Sequence, residues 1–301
     1  GNSERRFQGN FNGDYYNISG LYVNTSSTNY VGLFSYIENA SISNLSLTSG
    51  SILGNHQVGG IAGRSNNSSI QNCISDISIE GYGYTGGIVG YSDGSDILSC
   101  ASLQAVFGNW NYIGGVVGQS VDSVVNNCYN TAGIYATSVM GVGGIIGNAM
   151  STEIKYCINY STIISTEYIG GIAGQISFTT VSCCTNEGNI LADKMFGGIV
   201  GRFDYSQIND CYNSGDMLCL GMGPNNDDVY VGGILGYVHQ NGYNINIYNC
   251  YNSGEVSASY GNYLGGIVGY SSRSIYNCFN LGEIYTIYGT QSTAGEIAGS
   301  S

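Results

Sequence analysis

The amino-acid sequence predicts an all-β fold, a right-handed parallel β-helix of about ten coils, each with about 28 residues and three short strands. Three observations predict it: a glycine motif that returns at nearly constant intervals, a cysteine at a fixed distance after the motif, and a composition rich in turn and strand formers. A period of this size is typical of one structural unit stacked many times, in which each unit contacts only its neighbours. We therefore expect residues 1–301 to form a single solenoid domain.

The glycine motif is a Gly-Gly doublet followed by two apolar residues and a third glycine. Complete or degenerate copies are separated by 27 to 35 residues and begin at Gly32, Gly59, Gly86, Gly114, Gly143, Gly170, Gly197, Gly232, Gly265 and Gly295. A doublet before inward aliphatic residues indicates a tight corner that needs positive φ, or a close approach between stacked backbones.

The second landmark is a cysteine with an aliphatic residue three positions before it. It lies 14 residues after the first glycine in six consecutive coils, and the series is Cys73, Cys100, Cys128, Cys157, Cys184, Cys211, Cys250 and Cys278. An apolar residue follows five or six positions later, at Ile79, Val106, Ile134, Ile163, Ile190, Met217, Val256 and Ile284. Three apolar stretches per coil, separated by Gly, Asn and Ser, predict three strands joined by turns. Parallel crossovers are nearly always right-handed, which sets the predicted hand.

The interval from cysteine to the next glycine varies, so one side of the coils carries the insertions. We expect loop insertions at residues 216–230 and 237–246. Residues 1–31 are expected to form an incomplete N-terminal coil, and residues 295–301 an incomplete C-terminal coil.

An asparagine lies two residues after the cysteine in six successive coils, at Asn130, Asn159, Asn186, Asn213, Asn252 and Asn280. Stacked amide side chains can hydrogen-bond along the axis and satisfy turn backbone groups. Catalysis would need chemically different residues to converge, whereas this is one residue repeated. The pattern therefore predicts a structural ladder.

The eight cysteines at the repeated position are expected to form an interior column. Neighbours about 4.8 Å apart with parallel Cβ vectors are poorly placed for disulfides, so we predict small buried apolar residues with free thiols. Cys183 and Cys219 stand outside the column, and either pairing or free thiols are open for them. A zinc site is not expected, because the spacing is solenoidal and the chain has two histidines.

Two exposed features are candidates for binding. Tyrosines two residues before the glycine doublet, namely Tyr84, Tyr112, Tyr168, Tyr230 and Tyr263, are a candidate face for a glycan or protein partner, and mutual stacking is the alternative. Asp216, Glu255 and Glu283 align five residues after the cysteine. Their carboxylates are expected to splay into water, with screening by calcium as the alternative.

Composition excludes several function classes. The net charge is −13 with seven Lys and Arg, which makes nucleic acid an unfavourable partner. No apolar run approaches the length of a membrane span. The basic residues are scattered rather than interleaved with carboxylates at one position of the coil, so we predict no enzyme and no cofactor.

The repeat Gly-Gly-Ile-Val-Gly, together with Phe7-Gln8-Gly9-Asn10-Phe11-Asn12-Gly13, resembles the GLUG-repeat family of bacterial surface proteins. That resemblance covers nearly the whole chain and implies an extracellular, adhesin-like β-helix without transferring an activity. The His-Glu-x-x-His signature found in some metallopeptidases that carry such repeats is absent. Glu296, the Cys183-Cys184 doublet and the insertion near residues 216–230 depart from the repeat.

The sequence thus predicts a non-catalytic extracellular rod, a rigid spacer or display element of a bacterial surface protein. Its expected partner is a glycan or a host or cell-surface protein. Two alternatives are open: a filament subunit that self-associates through open β-helix ends, and a glycan-binding or glycan-active module that uses the tyrosine face.

Overall fold

The computed structural model describes residues 5–137, 140–221, 229–239, 246–259, 263–270, 275–287 and 293–300. These residues contain no helix, and strands of successive coils pair in parallel throughout. The predicted parallel β-helix is confirmed. Each coil contributes strands to three long sheets, which we number I to III in the order in which the chain passes through them.

Sheet I ends at the glycine doublet and has nine strands. They are His56–Gly59, Gly83–Gly86, Ile113–Gly114, Met140–Gly143, Glu167–Gly170, Phe196–Gly197, Tyr230–Gly232, Tyr263–Gly265 and Thr293–Gly295. Sheet II follows the doublet and has ten strands. They are Phe34–Glu38, Ala62–Asn66, Val89–Asp93, Val117–Val121, Ile146–Met150, Ala173–Ser177, Val200–Asp204, Leu235–Val238, Val268–Tyr270 and Ala298–Ser300.

Sheet III is built from three short segments per coil, so most coils have five strands in three sheets. The first segments are Asn10–Asn12, Asp96–Leu98, Val124–Asn126, Glu153–Lys155, Thr180–Ser182, Gln207–Asn209, Asn246–Tyr248 and Ile275–Tyr276. The second segments are Asn17–Ser19, Ala101–Ser102, Tyr129–Asn130, Ile158–Asn159, Thr185–Asn186, Tyr212–Asn213, Tyr251–Asn252 and Phe279–Asn280. The third segments are Tyr22–Asn24, Val106–Gly108, Ile134–Ala136, Ile163–Ile164, Ile190–Ala192, Met217–Cys219, Val256–Ala258 and Ile284–Thr286. Ser41–Leu53 and Ser69–Gly81 each run through all three segments without a break.

The register places equivalent residues directly over one another. Val106 pairs with Ile79 on one side and Ile134 on the other, and the same column continues to Ile284. The coils therefore stack on one another as the repeat predicts, and equivalent inward side chains form apolar columns along the axis.

Residues in the left-handed region turn the chain at two points of most coils, and in several coils also just before the glycine doublet. One set lies just before the landmark cysteine, or before Leu45 at the same position of the first coil; its nine residues have φ between 50° and 56° and include Asn127, Asp210 and Asn277. A second set lies between sheets II and III, and it includes Asn39 and Asp122. Asn and Asp tolerate this conformation better than other side chains, which explains their frequency at these turns.

Two apolar columns fill the interior. One lies behind sheet II and the first segments of sheet III and contains the cysteines, and from Val106 onward the other lies behind sheet I and the third segments. Between them, from Gly115 onward, the second glycine of the doublet meets the asparagine ladder across the coil: a Cβ on Gly144 would lie 2.4 Å from Asn159 Cγ. The coil is pinched at this contact, and the two columns are separated by it. In the two coils before Gly115, Gly60 and Gly87 meet serine side chains instead, and the core there is one cluster.

The bounds of the expected insertions need correction. Met217–Cys219 is a strand of sheet III in register with its neighbours, so the first insertion begins after it and not at residue 216. Likewise Tyr237 and Val238 belong to sheet II, and Asn246 belongs to sheet III. The first bound was wrong because the strand at Met217 keeps its place after Cys211, and the insertion begins only where that strand ends. The second insertion lies between the glycine motif and Cys250, the interval that is constant in six consecutive coils. Residues 222–228 and 240–245 lie outside the described residues.

Candidate functional site

The asparagine ladder is confirmed as a continuous chain of side-chain hydrogen bonds. Each Nδ2 donates to Oδ1 of the asparagine in the next coil, at 2.7–3.0 Å from Asn130 through to Asn280. Each Nδ2 also donates to the backbone carbonyl two residues ahead in its own coil, as from Asn186 to Gly188 O at 2.9 Å. Asn130 to Asn252 are fully buried. Their amide groups are thus used in holding one coil to the next.

The glycine doublet is explained by this ladder and by backbone contact. Among the described glycines only Gly20, Gly94 and Gly141 have positive φ, so a left-handed corner at the doublet is the wrong alternative. A Cβ on Gly143 would lie 2.0 Å from Ile146 O, and one on Gly144 would lie 2.0 Å from Gly171 O. Close approach, not backbone conformation, excludes larger residues here.

A hydroxyl ladder that the sequence reasoning missed runs parallel to the asparagines. Ser95 Oγ accepts a hydrogen bond from Ser68 N at 3.1 Å and donates to Asp93 O at 3.0 Å. The pattern repeats along the buried column Ser68, Ser95, Ser123, Thr152, Thr179 and Ser206. A hydroxyl residue five positions before six consecutive cysteines was the available signal.

The eight column cysteines lie in one file, and seven of them are buried, Cys278 being half-buried. All ten cysteines are free thiols. Cys100 Sγ donates to Leu98 O at 3.3 Å, and the backbone N–H of Cys100 donates to Cys128 Sγ at 3.4 Å. Burial raises the pKa of the Cys100, Cys157 and Cys184 thiols, whereas at Cys128 and Cys211 burial is outweighed by hydrogen bonds within the file and the pKa is lowered. Burial withdraws seven of the eight thiols from solvent, which is typical of structural cysteines.

The two cysteines outside the file occupy different environments. Cys183 lies at the left-handed turn before Cys184, with φ 52°, and is exposed. Cys219 is buried in register with Ala192 and Ala258, and burial raises the pKa of its thiol to about 11. Neither forms a disulfide.

The tyrosine row does not form one exposed face. Tyr84 and Tyr112 contact each other at 5.6 Å between centroids, and Tyr230 stacks on Tyr263 at 5.0 Å. Tyr168 lies between these two tyrosine pairs along the chain, and its ring lies 5.4 Å from the Arg202 guanidinium. Tyr230 is only 7% exposed, and the other four are half-buried. Burial raises the pKa of Tyr112 and Tyr168, as expected for phenols shielded by their neighbours.

On the outer face of sheet II, an arginine side chain packs between two tyrosine rings. Arg64 lies in register between Tyr36 and Tyr91, with its Cζ 5.4 Å and 4.7 Å from the two ring centroids. Such cation–π stacks stabilise the coil stacking and desolvate the cation.

The acidic column is present where the sequence predicts it. Asp216, Glu255 and Glu283 lie at one position of three successive coils, and all are outside the buried core. Asp216 Oδ1 accepts a hydrogen bond from Glu255 N at 3.0 Å. Tyr285 OH donates to Glu255 Oε1, and this bond raises the pKa of Tyr285. No ion pair between these three carboxylates and a described cation is formed.

An exposed apolar stripe leads up to the acidic column and meets it at the coil of Leu218, and the sequence reasoning did not identify it. Phe107, Tyr135, Ile164, Leu191 and Leu218 are in register on the outer face of the third segments of sheet III. Phe107, Tyr135 and Ile164 are 38%, 45% and 41% exposed. The first two rings stack at 5.4 Å. The signal was one residue after each third apolar landmark, a position that the strand alternation points outward.

A shallow cleft of about 300 Å³ joins the stripe to the acidic column. Leu191, Leu218 and Ile287 contribute its apolar lining, and Asp216 and Glu255 contribute carboxylates. The cleft is the place where apolar surface and unpaired negative charge meet.

Metal and membrane features were searched in the described part of the chain. There, no group of three or more His, Cys, Asp or Glu side chains is arranged to hold a metal ion. Within the same ranges no helix is long and apolar enough to cross a membrane.

Comparison with known proteins gives one partial similarity. A segment of 49 residues, 16% of this chain, is 47% identical to a protein described as a Gly-rich membrane protein of Evansella cellulosilytica. The matched segment spans 6% of that protein's length. No family model matches the chain, and the GLUG resemblance stays a prediction. No solved structure matches it either.

Proposed function

We propose that this chain is a non-catalytic structural or adhesive β-helix, a rigid extracellular spacer or display rod of a bacterial surface protein. The observation that carries the proposal is the uninterrupted ladder from Asn130 to Asn280, in which every buried amide is bonded along the axis. Groups that bond along the axis cannot also assemble a reactive site. Ten strands of sheet II at about 4.8 Å spacing give a rod about 45 Å long.

The charged residues support the absence of catalysis. The cations Arg6, Lys155 and Arg202 pair with carboxylates near them on the outer surface, namely Glu38, Glu153 and Asp204. These pairs lie in different coils, two of them at sheet II and one on sheet III. They satisfy local charge and do not converge on a pocket, as acid–base chemistry would need.

Two measurements test the proposal. Small-angle X-ray scattering of the purified chain should give a rod-like distance distribution, and a globular distribution would contradict the rod. Antibodies against the chain should label intact cells of the source bacterium as strongly as permeabilised cells. Labelling confined to permeabilised cells would contradict the extracellular location.

End-to-end association is the second function that we propose, because interior positions are less buried in the last described coil of sheet III than in the coil before it. Ile275, Cys278 and Ile284 are half-buried there, whereas Ile247 and Cys250 one coil earlier are fully buried. At the opposite end of the described solenoid, the ring of Phe34 contacts Phe7 at 5.0 Å and Phe11 at 5.5 Å and covers the core.

Sedimentation velocity over a hundredfold concentration range tests the filament. Association should raise the weight-average mass with concentration, and Leu281→Lys on the last coil should abolish the increase because Leu281 is 71% exposed there. Phe178→Lys is the matched control on an exposed turn far from that end. A mass that does not depend on concentration would contradict end-to-end assembly.

A further inference from the structure

The apolar stripe is the longest unpartnered feature of the described surface. It crosses five coils and spans about 19 Å at the spacing of parallel strands. Single exposed apolar residues are ordinary, but a contiguous row bordered by polar residues marks an interaction surface. The main-chain groups beneath the stripe are already paired within sheet III, so a ligand would be recognised by side chains and not by strand addition.

The charge beside the stripe decides the chemistry of its occupant. Asp216 lies two residues before Leu218, the last member of the stripe, and Glu255 and Glu283 continue the acidic column over the next two coils. In the part of the chain that the structure describes, these carboxylates form no ion pair, and Asp216 and Glu255 line the cleft. Like charges at adjacent strand positions destabilise each other. A cationic partner relieves that repulsion, and complementary charge steers its approach.

A second copy of the chain does not fit this surface. The chain carries a net charge of −13 with only seven Lys and Arg, so two copies meeting at the stripe would bring two acidic columns together. Like-charge juxtaposition at an interface disfavours that pairing. The occupant must supply both apolar side chains and positive charge.

We propose that the stripe and the adjoining cleft dock a foreign polypeptide segment in which an apolar run is followed by basic residues. The cleft of about 300 Å³ takes a Lys or Arg side chain, whose methylene stem packs on Leu218 while its charge reaches Asp216 and Glu255. Apolar side chains of the segment lie along Ile164 and Leu191. An extended segment of about six or seven residues matches the length of the stripe. Such a small surface is typical of weak and reversible complexes.

Labelled nine-residue peptides test the docking surface by fluorescence polarisation at fixed ionic strength. The probes are a Lys-Leu peptide with a Leu-rich half followed by a Lys-rich half, a Lys-Ser peptide of equal charge, and a Glu-Leu peptide of equal apolarity. The Lys-Leu peptide should bind and the other two should bind at least about tenfold more weakly, because each lacks one half of the recognition. Equal binding of the Lys-Ser peptide would overturn the proposal, since charge alone would then suffice.

Matched variants locate the binding. Asp216→Asn with Glu255→Gln should weaken the Lys-Leu peptide about tenfold, whereas Asp96→Asn with Asp122→Asn removes equal charge elsewhere and should leave binding within about twofold. Leu218→Ser should weaken it about fivefold, and the apolar control Phe178→Ser should not. Equal effects of the site and control variants would overturn the proposal.

Two further outcomes would also overturn it. Saturable binding of calcium alone that Asp216→Asn with Glu255→Gln removes would identify the acidic column as a cation site. Concentration-dependent dimerisation that Leu218→Ser abolishes would identify a second copy as the occupant. These binding measurements do not depend on the rod shape or on the cell-surface location. A negative result for peptide docking therefore leaves the proposed rod unaffected, and the two proposals are tested separately.

Discussion

Removal of one interior asparagine tests the ladder as the main source of coil-to-coil cohesion. In Asn186→Ala, three hydrogen bonds are lost: from Asn159 at 2.8 Å, to Asn213 at 2.7 Å and to Gly188 O at 2.9 Å. A net contribution of about 1 kcal/mol per bond, plus the cost of leaving buried neighbours unsatisfied, gives a loss of about 3–5 kcal/mol in the free energy of unfolding.

Urea denaturation followed by far-ultraviolet circular dichroism measures this loss, and amide hydrogen exchange shows which coils open. Two other variants give reference values for the loss in the free energy of unfolding. Asn280→Ala removes the half-buried terminal member, which has one ladder neighbour, and should cost less than Asn186→Ala. Asn189→Ala removes an exposed amide that accepts one bond from Asp216 N and should cost about 1 kcal/mol or less. If Asn186→Ala destabilises no more than Asn189→Ala, the amide ladder does not hold the coils together.

Three other perturbations have definite expected results. Gly144→Ala should lower the free energy of unfolding by about 3 kcal/mol, because its Cβ would meet backbone oxygen at 2.0 Å; an unchanged urea midpoint would contradict the close-approach explanation. In the native chain at pH 8, Cys183 should be labelled by iodoacetamide far faster than Cys219, whose thiol has its pKa raised to about 11 and forms little thiolate until the pH rises toward that value. Peptide mass spectrometry measures both rates, and equal labelling would contradict the placement of Cys219. Tyr168→Ala with Tyr263→Ala should lower the melting temperature but leave retention on polysaccharide columns unchanged, because these half-buried rings pack on neighbouring side chains. Lost retention at an unchanged melting temperature would instead identify a glycan site.

The stacked columns were predictable because identical residues must recur wherever coils self-stack. Asn213 and Cys211 recur two residues apart, and both lie at 0–1% exposure in the files assigned to them. The hydroxyl ladder was as regular as these files, but its members are four Ser and two Thr, residues that are common in turns, so composition concealed it.

The tyrosine row shows why exposure could not be predicted from spacing. Tyr84 and Tyr112 share one position of the coil, yet both have φ above 50° and turn their rings onto neighbours. A bulky residue in this conformation costs about 1–2 kcal/mol, and ring packing offsets that cost. Nothing in the sequence marks a tyrosine that adopts a positive φ.

The sequence by itself determined the parallel solenoid, its period and its asparagine ladder, because a repeated side chain is useful only when copies lie over one another. Only the tertiary structure decided which backbones touch across the coil. Gly144 against Asn159 separates the interior into two columns, and that contact joins residues from different strands. The tertiary structure also decided that Leu191 and Leu218 face outward beside Asp216. Apolar character alone does not distinguish the inside of a thin coil from its surface.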